Sequence, residues 1–195
     1  MLIFDLLDSV FLVKENCLDL SVFPNLYQGC MRHNDVVIDR AQLSDVTGIL
    51  KLAQANDAEH GGMLLGHLEP EAVIMTISQM PSVVARKDSQ VVGFLLSWAK
   101  TAADLSIIKV MLQAYSGTKD SYLYGPICVD ETMRGKGIAT TMFTKLKDFL
   151  PHREGILFIK ANNTASLHAH QKMGMCKMTD FTYEGTEFLV FAYSS

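Results

Sequence analysis

The stretch Ile127-Cys128-Val129-Asp130-Glu131-Thr132-Met133-Arg134-Gly135-Lys136-Gly137-Ile138-Ala139 concentrates the chemistry of this chain. An apolar run enters a loop with two glycines one residue apart, and the loop opens a segment of helical periodicity. Residues of these types capture anions. Glycines let the backbone approach a phosphate closely, unpaired amides at a helix start donate to it, and the helix dipole favours negative charge. Arg134 and Lys136 add positive charge at the same place. A plainer alternative, a tight strand-to-helix turn, uses the same two glycines and stands beside the first. Two other phosphate loops do not fit. The nucleoside-triphosphate pattern GxxxxGK followed by Ser or Thr is broken, because Lys136 lies between the glycines while Ile138 and Ala139 follow. The dinucleotide pattern GxGxxG requires glycine at position 140, where Thr140 stands.

A second group of polar residues follows the apolar run Ile156 to Ile159: Asn163-Thr164-Ala165-Ser166-Leu167, continuing to His170-Gln171-Lys172-Met173-Gly174-Met175. His168 and His170 are two positions apart, so on a helix they face different ways and do not form a pair. No metal site is expected, since neither HExxH nor a Cys/His cluster is present. The four cysteines, Cys17, Cys30, Cys128 and Cys176, are scattered without CxxC spacing, which suits a reduced, cytoplasmic compartment. Cys128 reads as a small buried hydrophobe, and the eleven methionines as adaptable core.

These residues need elements to position them. Val36 to Ile38 predicts a strand, and Ser44 or Asp45 caps a helix carrying Val46, Ile49, Leu50 and Leu52. His60 to Gly66 reads as a mobile loop, Glu69 to Met80 as a helix, and Ser82 to Arg86 with Val91 to Trp98 as a hairpin. A helix over Ala102 to Tyr115 precedes a strand over Tyr122 to Val129. Gly135 to Leu150 is then helical, with Ala139, Met142, Phe143, Leu146 and Phe149 inward. A covered strand at Ile156 to Ile159, a helix at Thr164 to Met173, and strands at Met175 to Thr182 and Thr186 to Tyr193 complete an α/β fold with a mixed sheet.

The 195 residues divide into a domain over 35–195 and an N-terminal extension over 1–34. In that extension Leu2, Ile3, Leu6, Leu7, Val10 and Phe11 fall at helical spacing. It reads as neither signal peptide nor membrane span, because Asp5 and Asp8 interrupt it and it lacks a basic start. Apolar residues make up 49% and charged residues 19%, enough for a packed core and too apolar for a disordered chain. Seventeen Lys and Arg against twenty-one Asp and Glu leave a formal charge of −4. Neither a nucleic acid nor an anionic membrane is an expected partner, and any bound anion needs a local site. The apolar N-terminal segment and an exposed last strand are suitable surfaces for a homodimer.

The two polar groups together resemble a family. Arg134-Gly135-Lys136-Gly137-Ile138-Ala139 is similar to the RGxGIA or RGxGIG pyrophosphate loop of the GNAT superfamily of N-acetyltransferases, and the segment from Asn163 to Met175 resembles its NxASxxLHEKxGF stretch, with Leu167 one turn early. The resemblance implies a bent sheet whose fourth and fifth strands splay to admit acetyl-CoA as cosubstrate. Gly125 and Pro126 inside the fourth strand give a physical reason, since proline removes a ladder donor and glycine tolerates a bulge. It further implies that backbone groups of Ile127 and Val129 pair with pantetheine, that Val129 polarises the thioester carbonyl, and that Arg134, Gly135, Lys136, Gly137, Ile138, Ala139 and Thr140 hold the pyrophosphate. Asn163 would bind the pantetheine or CoA backbone, with Ser166 and Lys172 approaching the adenosine phosphates. A carboxylate introduced by Gly137→Glu is expected to abolish CoA binding with little loss of fold.

Acetyl passes directly from thioester to amine in this family, without an acyl-enzyme. His170 stands where many members carry a tyrosine acid, so it is the expected proton donor to the CoA sulfur, the alternative being that its neutral imidazole only hydrogen-bonds the pantetheine. A histidine there recurs in the branch resembling phosphinothricin and small amino-acid acetyltransferases, which implies a small primary amine as acceptor. No base stands out. Water held by Tyr124 or Tyr122, or Glu69 or Glu71 from the acceptor side, are the alternatives, with the loop His60 to Gly66 shaping the acceptor pocket. A catalytically silent acyl-CoA sensor is the other reading.

Overall fold

The computed structural model describes residues 31–33, 35–102 and 105–194. The apolar N-terminal helix expected from the sequence lies outside the described residues. One eight-stranded sheet runs through the domain in the order β1-β2-β3-β4-β5-β6-β8-β7. Its strands are β1 Met31–His33, β2 Val36–Arg40, β3 Val83–Lys87, β4 Gln90–Ala99, β5 Tyr122–Val129, β6 Gly155–Lys160, β7 Cys176–Tyr183 and β8 Thr186–Tyr193. Every neighbouring pair is antiparallel except β5 and β6, which are parallel. Among the described residues, five α-helices accompany the sheet: α1 Val46–Gln54, α2 Pro70–Gln79, α3 Ser106–Ala114, α4 Ile138–Phe149 and α5 Thr164–Lys172. None among the described residues is long and apolar enough to cross a membrane.

Strand alternation sorts the core onto two faces. Val84, Phe94 and Leu96 pack against α1 and α2 through Ile49, Leu52, Val73 and Ile77. Leu123, Ile156 and Val190 meet Met111 of α3 on the same side. Across the sheet, Ile38, Leu95, Tyr122, Tyr124, Leu157 and Tyr193 pack on Ile138, Met142, Phe143 and Leu146 of α4. The start of α1 is tied to the sheet by a charged pair. Arg86 of β3 donates to both carboxylate oxygens of the buried Asp45, which also accepts the Gln42 amide at 2.7 Å.

The structure refines several sequence expectations. Seven strands were expected, and the eighth is β1, whose pairing with β2 places Met31–His33 in the sheet although they fall in the segment set apart as an extension. Without that short strand the parallel pair is the fourth and fifth, as expected. The last strand is not exposed. β8 sits between β6 and β7, because β7 folds back across the Glu184-Gly185 turn and takes the edge itself. Helix α4 begins at Ile138 rather than Gly135, since both glycines of the loop adopt left-handed backbone before it. Buried Lys145 joins its inner face, while Ala139 and Phe149 are only half-buried.

Candidate active site

The sheet forks between β5 and β6. Their ladder covers only Tyr122 with Gly155 and Leu123 with Ile156, while β6 stays paired to β8 along its full length. Beyond Leu123, β5 is held by β4 alone. The register against β4 slips there too: Leu95 faces Ile127 and Ser97 faces Tyr124, so Gly125 and Pro126 together oppose one residue, a bulge. The indole of Trp98 donates at 2.8 Å to the Gly125 carbonyl, satisfying a group the bulge turns out of the ladder. An inserted residue reverses the alternation, so Ile127 and Val129 share a face with Tyr124, and Cys128 turns to the α1 and α2 side.

The open edge follows from the same ladder. Asp130 donates its amide to Val92 at 2.9 Å, extending the pairs Val129 with Gly93 and Cys128 with Phe94. In an antiparallel ladder alternate residues point their backbone groups away, so those of Val129 and Ile127 turn towards the fork. Arg134 confirms the direction by donating Nε to the Val129 carbonyl at 3.1 Å. Burial pushes the Cys128 thiol up to about 11, so it is a neutral thiol in the core rather than a nucleophile.

Past β5 the chain makes a short turn at Glu131–Met133, then Arg134, Gly135, Lys136 and Gly137 lead to α4. Thr141 donates the first intrahelical bond, to Gly137, leaving the amides of Ile138, Ala139 and Thr140 at the helix start free of helical partners. The side chains expected to add charge turn elsewhere. Arg134 spans from Val129 to the Asn56 side chain, and Lys136 donates to the Thr132 carbonyl at 2.9 Å. The loop therefore offers backbone donors foremost. His33 of β1 hydrogen-bonds the Lys136 carbonyl and lies 3.4 Å from where a Gly137 Cβ would stand.

His170 and Tyr124 meet at the fork. Their rings are edge to face with centroids 5.6 Å apart, beside Phe143 and Tyr193. His170 is 3% exposed, and its Nδ1 lies 2.7 Å from the Ser166 carbonyl. A carbonyl only accepts, so Nδ1 carries the proton and Nε2 presents a lone pair. Burial lowers the imidazole pKa, keeping the ring neutral, while it raises that of the Tyr124 phenol well above its usual value. Both polar ends, His170 Nε2 and Tyr124 Oη, are buried without a hydrogen-bond partner in the structure. With Nδ1 donating to Ser166, the open nitrogen of the neutral ring is an acceptor.

Other expected contacts are placed differently. Asn163 caps α5 by accepting the Ser166 amide at 3.1 Å, and Ser166 holds His170 through its carbonyl and hydroxyl. Lys172 is exposed in the last turn of α5. At the far end of that helix, Gly174 adopts left-handed backbone and donates to Gln171 while Met175 donates to the His170 carbonyl, a Schellman cap. On the α1 and α2 side, the loop expected to shape an acceptor pocket borders a cleft of about 440 Å³ whose lining includes Asp57, Leu64, His67 and Glu69. A second cleft of about 370 Å³ lies between Asn56, His60, Asp130 and Arg134. Glu71 lines neither. Trp98 was expected to pack the sheet, which it does, but its bond to the bulge and the Asn163 cap escaped the sequence reading, although Asn before a helical segment is a cap signal.

A mixed sheet forked between two parallel strands, with a free helix start at the mouth, defines an α/β fold open at one edge of its fifth strand. The sequence pattern of the Acetyltransferase (GNAT) family matches residues 54–175, and the chain belongs to that family. Solved structures share the architecture. A GNAT-family acetyltransferase from Streptococcus agalactiae superposes with a TM-score of 0.65 at 15% identity, covering 85% of this chain and 98% of that one. YncA of Salmonella typhimurium, solved with acetyl-CoA, gives 0.61 at 12% identity, over 82% of this chain and 93% of that one. NAA60 of Arabidopsis thaliana, also with acetyl-CoA, gives 0.60 at 16% identity, over 82% and 99%. No curated protein sequence matches the chain.

Proposed function

We propose that this protein transfers an acetyl group from acetyl-CoA to the primary amine of a small molecule. The observation that carries the reading is the pair of orphaned polar atoms at the fork, Tyr124 Oη and His170 Nε2. Buried polar groups without partners are rare and call for a ligand that completes them. The cosubstrate fits the residues present. The backbone edge at Ile127 and Val129 suits the amides of a pantetheine arm, as in strand addition. The amides of Ile138, Ala139 and Thr140, with the loop at Arg134, Gly135, Lys136 and Gly137, suit a pyrophosphate. Acetyl-CoA supplies an activated thioester.

Within the chain, the Val129 amide polarises the carbonyl that accepts charge. His170 Nε2 takes the proton of the attacking amine, directly or through water, and Tyr124 Oη donates towards the departing sulfur. Ser166 and Asn163 act one step back, fixing the imidazole and the helix that carries it. The 440 Å³ cleft has the volume of a small-ligand pocket, and Glu69 on its wall favours a cationic ammonium.

The test is CoA release over a panel of amino acids, polyamines, amine-bearing antibiotics and N-terminal peptides, with acetyl-CoA binding followed by calorimetry. Amine-dependent release is expected for a small amine, and Tyr124→Phe and His170→Asn each lower kcat about 10²-fold or more while acetyl-CoA still binds. Turnover of the peptides alone would replace the acceptor class. Binding without turnover on any amine would support the silent sensor.

A further inference from the structure

We propose that the turn between α1 and α2 holds a divalent cation of the zinc class, bound by Asp57, Glu59 and His67. This goes against the sequence expectation of no metal, and it stands independently of acetyl transfer. Asp57 caps the short turn Ala58–His60, where its Oδ1 accepts both the His60 amide at 3.0 Å and the His60 ring Nδ1 at 2.8 Å. Its other oxygen is left over. Oδ2 is buried without a hydrogen-bond partner, on a residue only 5% exposed. His67 Nδ1 stands 3.9 Å from that oxygen, and the ligating atoms of Asp57, Glu59 and His67 all lie within 4.8 Å of one another.

The loop is folded to bring them together. Gly62 donates to the Asp57 carbonyl at 2.7 Å, Leu64 donates to the Asn56 carbonyl at 3.1 Å, and Asp57 and Leu64 form an isolated bridge. Residues ten apart in sequence are thus returned to one point. An imidazole with two carboxylates is a borderline donor set, suited to zinc more than to magnesium or calcium, and three protein ligands leave one position open. Adjacent ligands on tetrahedral zinc lie roughly 3.3 Å apart, given metal–ligand lengths near 2.0 Å. Starting from separations within 4.8 Å, the atoms have to close by at most about 1.5 Å, and the Glu59 and His67 side chains are exposed. His60 does what a partner behind a ligand does: it binds the other oxygen and aims Oδ2. Asp57 and His67 both line the 440 Å³ cleft, so the open coordination position faces whatever enters it.

The full chain, stripped with chelator and dialysed, is titrated with Zn²⁺ and separately with Mg²⁺, reading calorimetry, metal content and melting temperature. One equivalent of Zn²⁺ is expected with a Kd in the micromolar range or below, raising Tm, with Mg²⁺ far weaker. His67→Ala, an exposed substitution that leaves the core untouched, is expected to weaken Zn²⁺ at least tenfold. Asp57→Asn does the same, and His67→Ala carries the test alone if that variant misfolds. The proposal is overturned if the folded wild type takes up no Zn²⁺, or if His67→Ala binds it as well as wild type, which would place the cation elsewhere.

Discussion

At the scale of single residues, one proton decides how His170 works. Its Nδ1 is committed to the Ser166 carbonyl, so the free Nε2 is a base at neutral pH and an acid only after protonation, which burial opposes. For an acceptor amine titrating well above pH 8, the kcat/KM profile is expected to show an acid limb with its midpoint below 6.5, and His170→Asn removes that limb. A midpoint above 6.5 would assign the limb to another group. The same shift acts on stability. The folded pKa lies below the unfolded value, so the unfolded chain binds the proton first and stability declines as pH falls from about 6.5 through the folded pKa. His170→Asn is expected to flatten that decline in denaturant titrations taken across acid pH. The family resemblance pointed to His170, with Tyr124 one of several alternatives for holding a water, because neither residue stands out by spacing alone. It did not find the direction of the proton, which depends on one carbonyl a helical turn away.

At the scale of elements, the loop before α4 and the start of α1 each rest on one exacting position. Gly137 has a φ of 80°, a backbone that side chains rarely adopt. The Gly137→Glu variant therefore adds backbone strain of about 1 kcal/mol to the charge conflict with a bound phosphate. Calorimetry is expected to find no acetyl-CoA binding, with Tm a few degrees lower. Asp45 is the second case. Arg86 is about one-fifth exposed, so this pair lies between a surface and a buried salt bridge. Removing the carboxylate in Asp45→Ala strands the guanidinium and the Gln42 amide, and about 2 kcal/mol of stability is expected to be lost in denaturant titration. Helix and strand order was legible from periodicity because most segments are long and patterned. The bulge was legible only as a Gly-Pro signal, and β1 was not, since three residues carry too little pattern to separate a strand from a linker.

For the molecule as a whole, beyond Leu123 β5 has no neighbouring strand on the fork side among the described residues. Amide exchange is the matching measurement. The amides of Ile127 and Val129 are expected to exchange faster than that of Cys128, whose ladder position faces β4, and acetyl-CoA should slow both. Equal protection without ligand would mean that the fork is closed in solution. Composition had set the class of molecule, a packed domain with a modest negative charge, and two short motifs had set the region of the site. Which strand takes the sheet edge was not legible, because β8 and β7 have similar lengths and only long-range pairing with β6 orders them. On the observed edge, Lys177 and Asp180 form an exposed ion pair at 2.9 Å, the kind of charge that discourages strand-to-strand association.

Trp98 is the only tryptophan in the chain, and it is hydrogen-bonded to the carbonyl of Gly125 at the bulge. Every photon of intrinsic indole emission therefore originates on β4, one strand from the fork, at the bulge of the strand that borders it. The protein carries its own optical reporter of occupancy, usable without a label, a radioisotope or a coupled assay.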